Sequence, residues 1–195
     1  MDCREAPIFS ESFIPHSLNI GLDINFAMWV GELIPDINHK IALVCSEVRE
    51  EEALIRLSRV GFDNSIGYLK GGYKTWLESK GKTEFINRIS TEKFEKISQN
   101  QDSIIIDVRK KSEFESEHII SAINLPLNQL ETRLAEIPHG KNIILHCAGG
   151  YRSMIAASIL KQRGWQDFAD VSGGFEELAT TSLPKTEYVC PTTLL

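Results

Sequence analysis

Ile143-Ile144-Leu145-His146-Cys147-Ala148-Gly149-Gly150-Tyr151-Arg152-Ser153 runs directly into Met154-Ile155-Ala156-Ala157-Ser158-Ile159-Leu160. The segment reads as a short apolar strand, a Cys, a glycine turn, an Arg and then a helix. Between Cys147 and Arg152 the backbone N–H groups can turn inward and form a nest for an anion. A helix starting near Ser153 points its positive dipole end at that nest, and Arg152 adds a full charge. All three favour a thiolate, so Cys147 is expected to be ionised and reactive at neutral pH. Gly149 and Gly150 allow positive φ and a close approach of backbone to sulfur. A lone Cys closing a core strand is usually inert packing. Here the glycine pair, the Arg and the helix start coincide, which favours a reactive sulfur.

Outward from this loop, the chain repeats itself. Asp2-Cys3-Arg4 aligns with Asp107-Val108-Arg109, and Phe9, Ile14 and Asn19 align with Phe114, Ile119 and Asn124. Ile41-Ala42-Leu43-Val44-Cys45 aligns with Ile143–Cys147, and Gly71-Gly72-Tyr73 with Gly173-Gly174-Phe175. The period is that of a duplicated domain. The boundary falls in the polar run Ser79-Lys80-Gly81-Lys82-Thr83, giving domains 1–82 and 83–195, the second with a tail from about 181.

The loop stretch resembles the active loop of the rhodanese family, C-x-x-G-x-R-S at a helix start. Upstream, Ile104–Arg109, Glu113–Ile119 and Ala122–Leu127 resemble the family's IDVR, EF…GHI and GAINIPL segments. Downstream, Val171–Phe175 resembles its closing L-x-GG. The resemblance covers about residues 85 to 178 in order. Glu117 and Ser121 depart from it where Gly is common. The resemblance implies two tandem three-layer α/β/α domains with parallel sheets. It also implies transfer of a sulfane sulfur through a persulfide on Cys147, with no cofactor. Cell-cycle phosphatases and arsenate reductases of similar fold carry five residues between Cys and Arg. Four here favour a sulfur atom as guest.

The residues assign the roles. Cys147 is the nucleophile, and Arg152 braces the loop through a carboxylate, with Glu113 and Asp107 as the candidates. Ala148, Gly149, Gly150, Tyr151 and Ser153 form the substrate loop. Asp107 and Arg109 hold strand and turn. His146 should point to the face opposite Cys147, and neither it nor His118 is needed as a base. Ala148 and Gly149 supply no cation for a dianionic donor, so a persulfide suits the loop at least as well as thiosulfate. The acceptor would be a thiol or cyanide. The alternative is a non-catalytic sulfur- or redox-sensing module.

The first cysteine loop differs. Cys45-Ser46-Glu47-Val48-Arg49 separates Cys from Arg by three residues and holds no glycine, and Glu50-Glu51-Glu52 follows. Non-glycine residues resist positive φ. Domain 1 is therefore expected to be a silent copy.

The chain has 195 residues, net charge −6 and 42% hydrophobic residues. Nine Lys/Arg stand against twelve Asp/Glu in 1–82, and twelve against fifteen in 83–195, so no basic block suggests nucleic acid. No apolar run approaches a membrane span. The four Cys lack C-x-x-C spacing, so no zinc site is indicated. A reduced, cytoplasmic setting suits a working thiolate.

Domain 2 has about twenty residues before Asp107, including a strand, whereas domain 1 begins at Met1-Asp2. Domain 1 is thus expected to lack its first strand. Ser17–Leu22 and Trp29–Leu33 resemble the rhodanese pair behind a metallo-β-lactamase-type domain. The expectation is a C-terminal portion of a longer protein, with that upstream domain missing. Otherwise a second copy or the tail Tyr188-Val189-Cys190 would complete domain 1. Expected elements are a loop over 5–22 and helices over Asp23–Leu33 (Phe26, Met28, Trp29, Leu33 inward), Glu50–Val60 (Leu54, Ile55, Leu57, Val60 inward), from Ser90, and over Leu127–Ile137. Strands are expected at Ile41–Cys45, Ile66–Leu69, Ile104–Asp107, Ile143–His146 and Phe168–Val171.

Overall fold

The structure is a computed structural model that describes residues 1–98, 103–138 and 140–190. It divides into two compact units, Met1–Phe85 and Ile86–Leu195. The elements of the first are α1 (Ala6–Glu11), α2 (Phe26–Leu33), β1 (Ile41–Leu43), α3 (Glu50–Ser58), β2 (Ser65–Tyr68) and α4 (Gly72–Glu78). The second holds β3 (Asn87–Ile89), α5 (Thr91–Ile97), β4 (Ser103–Asp107), α6 (Lys111–Ser116), β5 (Ala122–Asn124), β6 (Asn142–His146), α7 (Arg152–Gln162), β7 (Phe168–Val171) and α8 (Gly174–Leu178).

In the second unit five parallel strands lie in the order β3-β7-β6-β4-β5. Parallel strands covered on both faces must be apolar along their whole length. Ile105, Ile106, Ile143, Ile144, Leu145 and Val171 meet that demand, all buried. Helix α7 is buried at every position from Ser153 to Leu160. One face of the sheet packs Ile89, Phe94, Ile105, Ile144 and Val171 against Phe175 and Leu178 of α8. Ser90 caps α5 by accepting from the Lys93 N–H.

The first unit is a reduced version of the same plan. β1 and β2 pair in parallel. The place that β4 takes in the second unit is held by Asp2, through isolated parallel bridges to Val44 and Asn19. Phe9 and Phe13 stack at 4.2 Å in its core, with Ile20, Leu22, Phe26, Val30 and Leu57.

Four expectations are corrected. Residues 5–22 are not all loop, because Pro7 sits in the first turn of α1, where its missing N–H costs nothing. Helix α2 buries Phe26, Trp29 and Val30 and leaves Met28 exposed. Helix α3 buries Ala53 and Leu57, one turn apart, and leaves Ile55 and Val60 exposed. Leu127–Ile137 is not an α-helix. It forms 3-10 turns at Leu127–Gln129 and Glu131–Glu136, with Arg133 out of helical geometry. Buried Leu127 and Leu130 lie three residues apart, the 3-10 repeat.

The described part of the tail pairs within its own unit. Lys185 bridges Ile119 antiparallel, Thr186 N–H donates to the His118 carbonyl, and Val189 N–H donates to that of Ser116. The unpaired backbone around 116–120 of its own unit takes it up. The last residues of the expected tail, 191–195, lie outside the described residues.

Candidate active site

β6 delivers Cys147 to the carboxyl edge of the sheet, and α7 begins five residues later. The loop between them is set by Gly150, at φ +82°. A Cβ there would lie 2.1 Å from the Ser172 carbonyl oxygen, so only glycine fits. With the chain turned this way, Gly150 N–H donates to Cys147 Sγ at 3.2 Å. Cys147 is buried, Gly149 is exposed at the mouth, and Ala148 and Tyr151 are half-buried.

Arg152 does not point at the sulfur as a free cation. Its Nη1 and Nη2 donate to Glu113 Oε2 and Oε1 at 2.6 and 2.8 Å, a bidentate pair reaching from α7 to α6. Burial pushes the Glu113 carboxyl up, but the Arg152 guanidinium outweighs it and holds the group below the usual carboxylate range. The Glu113 pairing raises Arg152.

Asp107 is taken by another arginine. Arg109 Nε and Nη2 bind its carboxylate at 2.8 and 2.6 Å, and Nη2 also donates to the Glu117 carbonyl. The Arg109 guanidinium lies 3.8 Å over the Phe175 ring. This buried pair stands behind the loop and frames it. His146 is fully buried, 3.8 Å from Asp107, and desolvation lowers its pKa, so it is neutral at physiological pH. His118 stacks on Phe114.

The closing glycines hold the loop from the other side. Phe175 N–H donates to the Cys147 carbonyl at 2.6 Å and Glu176 N–H to that of Ala148 at 3.0 Å. Gly174, at φ +58°, permits this, since a Cβ would lie 2.4 Å from the Ala148 oxygen. The Glu176 carboxylate lies beside Gly149: a Cβ on that glycine would meet it at 3.6 Å.

Arg88 and Asp170 complete the surroundings. Arg88 Nη2 donates to the carbonyls of Gly150 and Ser172 at 3.3 and 3.2 Å. Its Nε lies 3.3 Å from Asp170 Oδ2. The pair is poorly aligned: both Asp170 oxygens, Arg88 Nε and Nη1, and Ser153 Oγ are buried without a well-formed hydrogen bond. Desolvation pushes the Asp170 carboxyl up to about 7, with Arg88 opposing it. Asp170 had a visible signal, a charged residue in the apolar run Phe168–Val171. Arg88 and Glu176 had none.

The first unit repeats the frame. Asp2 and Arg4 pair at 2.6 Å, Arg4 lies 4.0 Å over the Tyr73 ring, and Asn19 donates to the carbonyls of Asp2 and Arg4 as Asn124 does to those of Asp107 and Arg109. Its loop is different. Val48 takes φ +60°, a β-branched residue in the left-handed region, with its side chain in solvent. The shorter loop therefore makes a left-handed turn after all, and strains a valine to do so. Arg49 pairs with Asp23 and Glu52, both at 2.8 Å.

Fold and loop define a class, an α/β domain that presents a cysteine on a glycine turn at a strand-to-helix junction. The chain belongs to the rhodanese-like domain family, whose model matches residues 1–79 and 90–181. It is 41% identical over 73 residues to the protein YqhL of Bacillus subtilis, a match covering 37% of this chain and 58% of that protein. It is 28% identical over 100 residues to a sulfurtransferase of Allochromatium vinosum, covering 51% of this chain and 94% of that one. It is 33% identical over 99 residues to the thiosulfate sulfurtransferase GlpE of Pseudomonas syringae pv. syringae, covering 51% and 92%. The chain thus spans little more than half the length of YqhL, while the latter two are matched almost whole by about half of this chain. Among the described residues, no His/Cys/Asp/Glu group could hold a metal ion and no helix is long and apolar enough to cross a membrane.

Proposed function

We propose that this chain is a sulfurtransferase working through a persulfide on Cys147 in the second unit. The observation that carries the reading is the Gly150 N–H aimed at Cys147 Sγ at 3.2 Å, on a loop whose Arg152 is pinned by Glu113. A donor R–S–S⁻ enters at Gly149. The Cys147 thiolate attacks its outer sulfur, the donor S–S bond breaks, RS⁻ leaves, and Cys147 carries –S–S⁻. The loop amide and the α7 dipole stabilise the terminal anion. A thiolate acceptor then attacks that outer sulfur, takes it as a new persulfide and restores the Cys147 thiolate. Cyanide as acceptor leaves as thiocyanate.

The donor proposed is a small persulfide rather than thiosulfate. Glu176 places a carboxylate at the mouth and neither Ala148 nor Gly149 offers a cation, so a dianion meets repulsion there. The acceptor is a small thiol.

Intact mass after excess sulfane donor tests this. The active protein should gain about 32 Da and lose it on cyanide. Cys147→Ser should lose both the adduct and the turnover, and Cys45→Ser neither. Turnover that survived Cys147→Ser and vanished with Cys45→Ser would reverse the assignment of the working half. A thiosulfate rate above that of a glutathione persulfide would reject the donor class.

A further inference from the structure

The first unit contains an arrangement its twin lacks. Val44 N–H donates to the Met1 carbonyl at 2.9 Å and Cys3 N–H to that of Val44 at 2.7 Å, so Asp2 and Val44 are register partners in a parallel bridge. The next residues on the two segments are Cys3 and Cys45. Paired residues of parallel segments place their side chains on one face, and successive residues alternate faces. Cys3 and Cys45 therefore share a face, across segments about 4.8 Å apart. That lies within the Cα separation a disulfide needs, about 4.4–6.8 Å. In the second unit Asp107 pairs with His146, and the residue beside Cys147 is Val108, which cannot form such a bond.

The two thiols interact directly, and both side chains are buried. That contact raises Cys3, with burial acting in the same direction, and lowers Cys45. The segment after Cys45 is a short strained turn whose Val48 is 95% exposed, so opening it loses little packing.

We propose that Cys3 and Cys45 form a redox-active dithiol that a small disulfide, such as oxidised glutathione, converts to an intramolecular disulfide. The Cys45 thiolate attacks one sulfur of R–S–S–R, that bond breaks, and one RS⁻ leaves. The Cys3 thiolate then attacks Cys45 Sγ of the mixed disulfide and expels the second RS⁻. Two protein thiols lose two protons and two electrons, and R–S–S–R becomes two RSH. The loop that is one residue shorter thus has a partner sulfur that would resolve any adduct on Cys45. This stands apart from the chemistry proposed for Cys147.

The test uses the full chain with excess oxidised glutathione, followed by alkylation and non-reducing peptide mapping. A link between the Cys3 and Cys45 peptides is expected, with loss of about 2 Da from that pair and reversal by dithiothreitol. Exposed Cys190 is the internal control, since its glutathione adduct shows that the reagent acted. Cys3→Val installs the residue found at 108 and should trap the mixed disulfide on Cys45. Sulfur transfer by Cys147 serves as the folding check and is scored separately. The proposal is overturned if Cys190 is modified while Cys3 and Cys45 both remain alkylatable. A Cys45 link to a cysteine other than Cys3 overturns it equally.

Discussion

Two cysteine loops in one chain share nearly everything around them. Each follows a buried strand, faces a buried Asp–Arg pair, and has that arginine stacked on the aromatic residue after a glycine pair. They part at several positions. Gly150 turns the chain freely where Val48 turns it under strain. Arg152 is pinned to Glu113, but the aligned position in the first unit is the apolar Ile8, and Arg49 pairs with Asp23 and Glu52 instead. Cys147 has Val108 beside it and Cys45 has Cys3. The fold therefore places a cysteine at the same point in both units, and a few side chains set what surrounds it.

Putting the first loop's residue into the second should have the largest effect. Gly150→Val drives a Cβ into the Ser172 carbonyl at φ +82° and should destabilise the second unit by about 2–4 kcal/mol and abolish persulfide formation. Hydrogen exchange of peptides from 86–190 reads the first effect and intact mass the second. An adduct formed at the wild-type rate would show that the glycine is not what separates the loops.

Asp170 has exposed Tyr68 as its aligned residue in the first unit, so its burial is private to the second. Its carboxyl sits near 7 in the folded chain against 3.8 ordinarily, so the folded state holds the proton more tightly. Stability from this group is full below about pH 4 and is lost as pH rises toward 7, with a slope of at most about 1.4 kcal/mol per pH unit. Asp170→Asn should remove that slope. Its Tm relative to wild type should climb from about pH 4 to 7, and a flat difference would reject the titration.

Glu113→Gln severs the Arg152 brace and should slow sulfur transfer roughly threefold to tenfold, since the pair is partly exposed and only positions the loop. Glu113 is held below the ordinary carboxylate value, so the brace persists above that range and fails as pH falls through the lowered value. The variant should lack this acid limb in its pH–rate profile. The smallest effect expected is the reciprocal swap. Val48→Gly relieves a left-handed valine and should stabilise the first unit by about 0.5–1 kcal/mol in urea titration, without creating activity.

Most of the fold was legible because parallel strands and a duplicated motif leave strong marks. Ile104–Asp107, Ile143–His146 and Phe168–Val171 are nearly continuous apolar runs, and the DxR, Cys and Gly-Gly landmarks recur at two nearby offsets. Prolines and mixed faces misled. Pro7 reads as a breaker yet fits a first helical turn, and Met28 and Ile55 look like core residues but fall on the solvent side of short helices. Leu127–Ile137 has helical composition, but its buried leucines follow a three-residue repeat. Of the site, the loop was legible as one contiguous string. Its surroundings were not, because Arg88, Asp170 and Glu176 reach Gly150, Ser153 and Gly149 only through the strand order β3-β7-β6 and the docking of α8. Linear sequence does not display that adjacency.

The grip of Phe175 and Glu176 on the carbonyls of Cys147 and Ala148 also has a meaning in time. During synthesis the cysteine emerges first, and the residues that fasten its loop follow nearly thirty positions later. Arg88, by contrast, waits from the start on a strand that needs β7 to join the sheet. A ribosome paused anywhere between these points holds a chain whose Cys147 sits on an unfinished turn. The fastened loop is thus among the last parts of the second unit to exist, and a chain cut short before Phe175 would carry the cysteine without the hydrogen bonds that hold its loop.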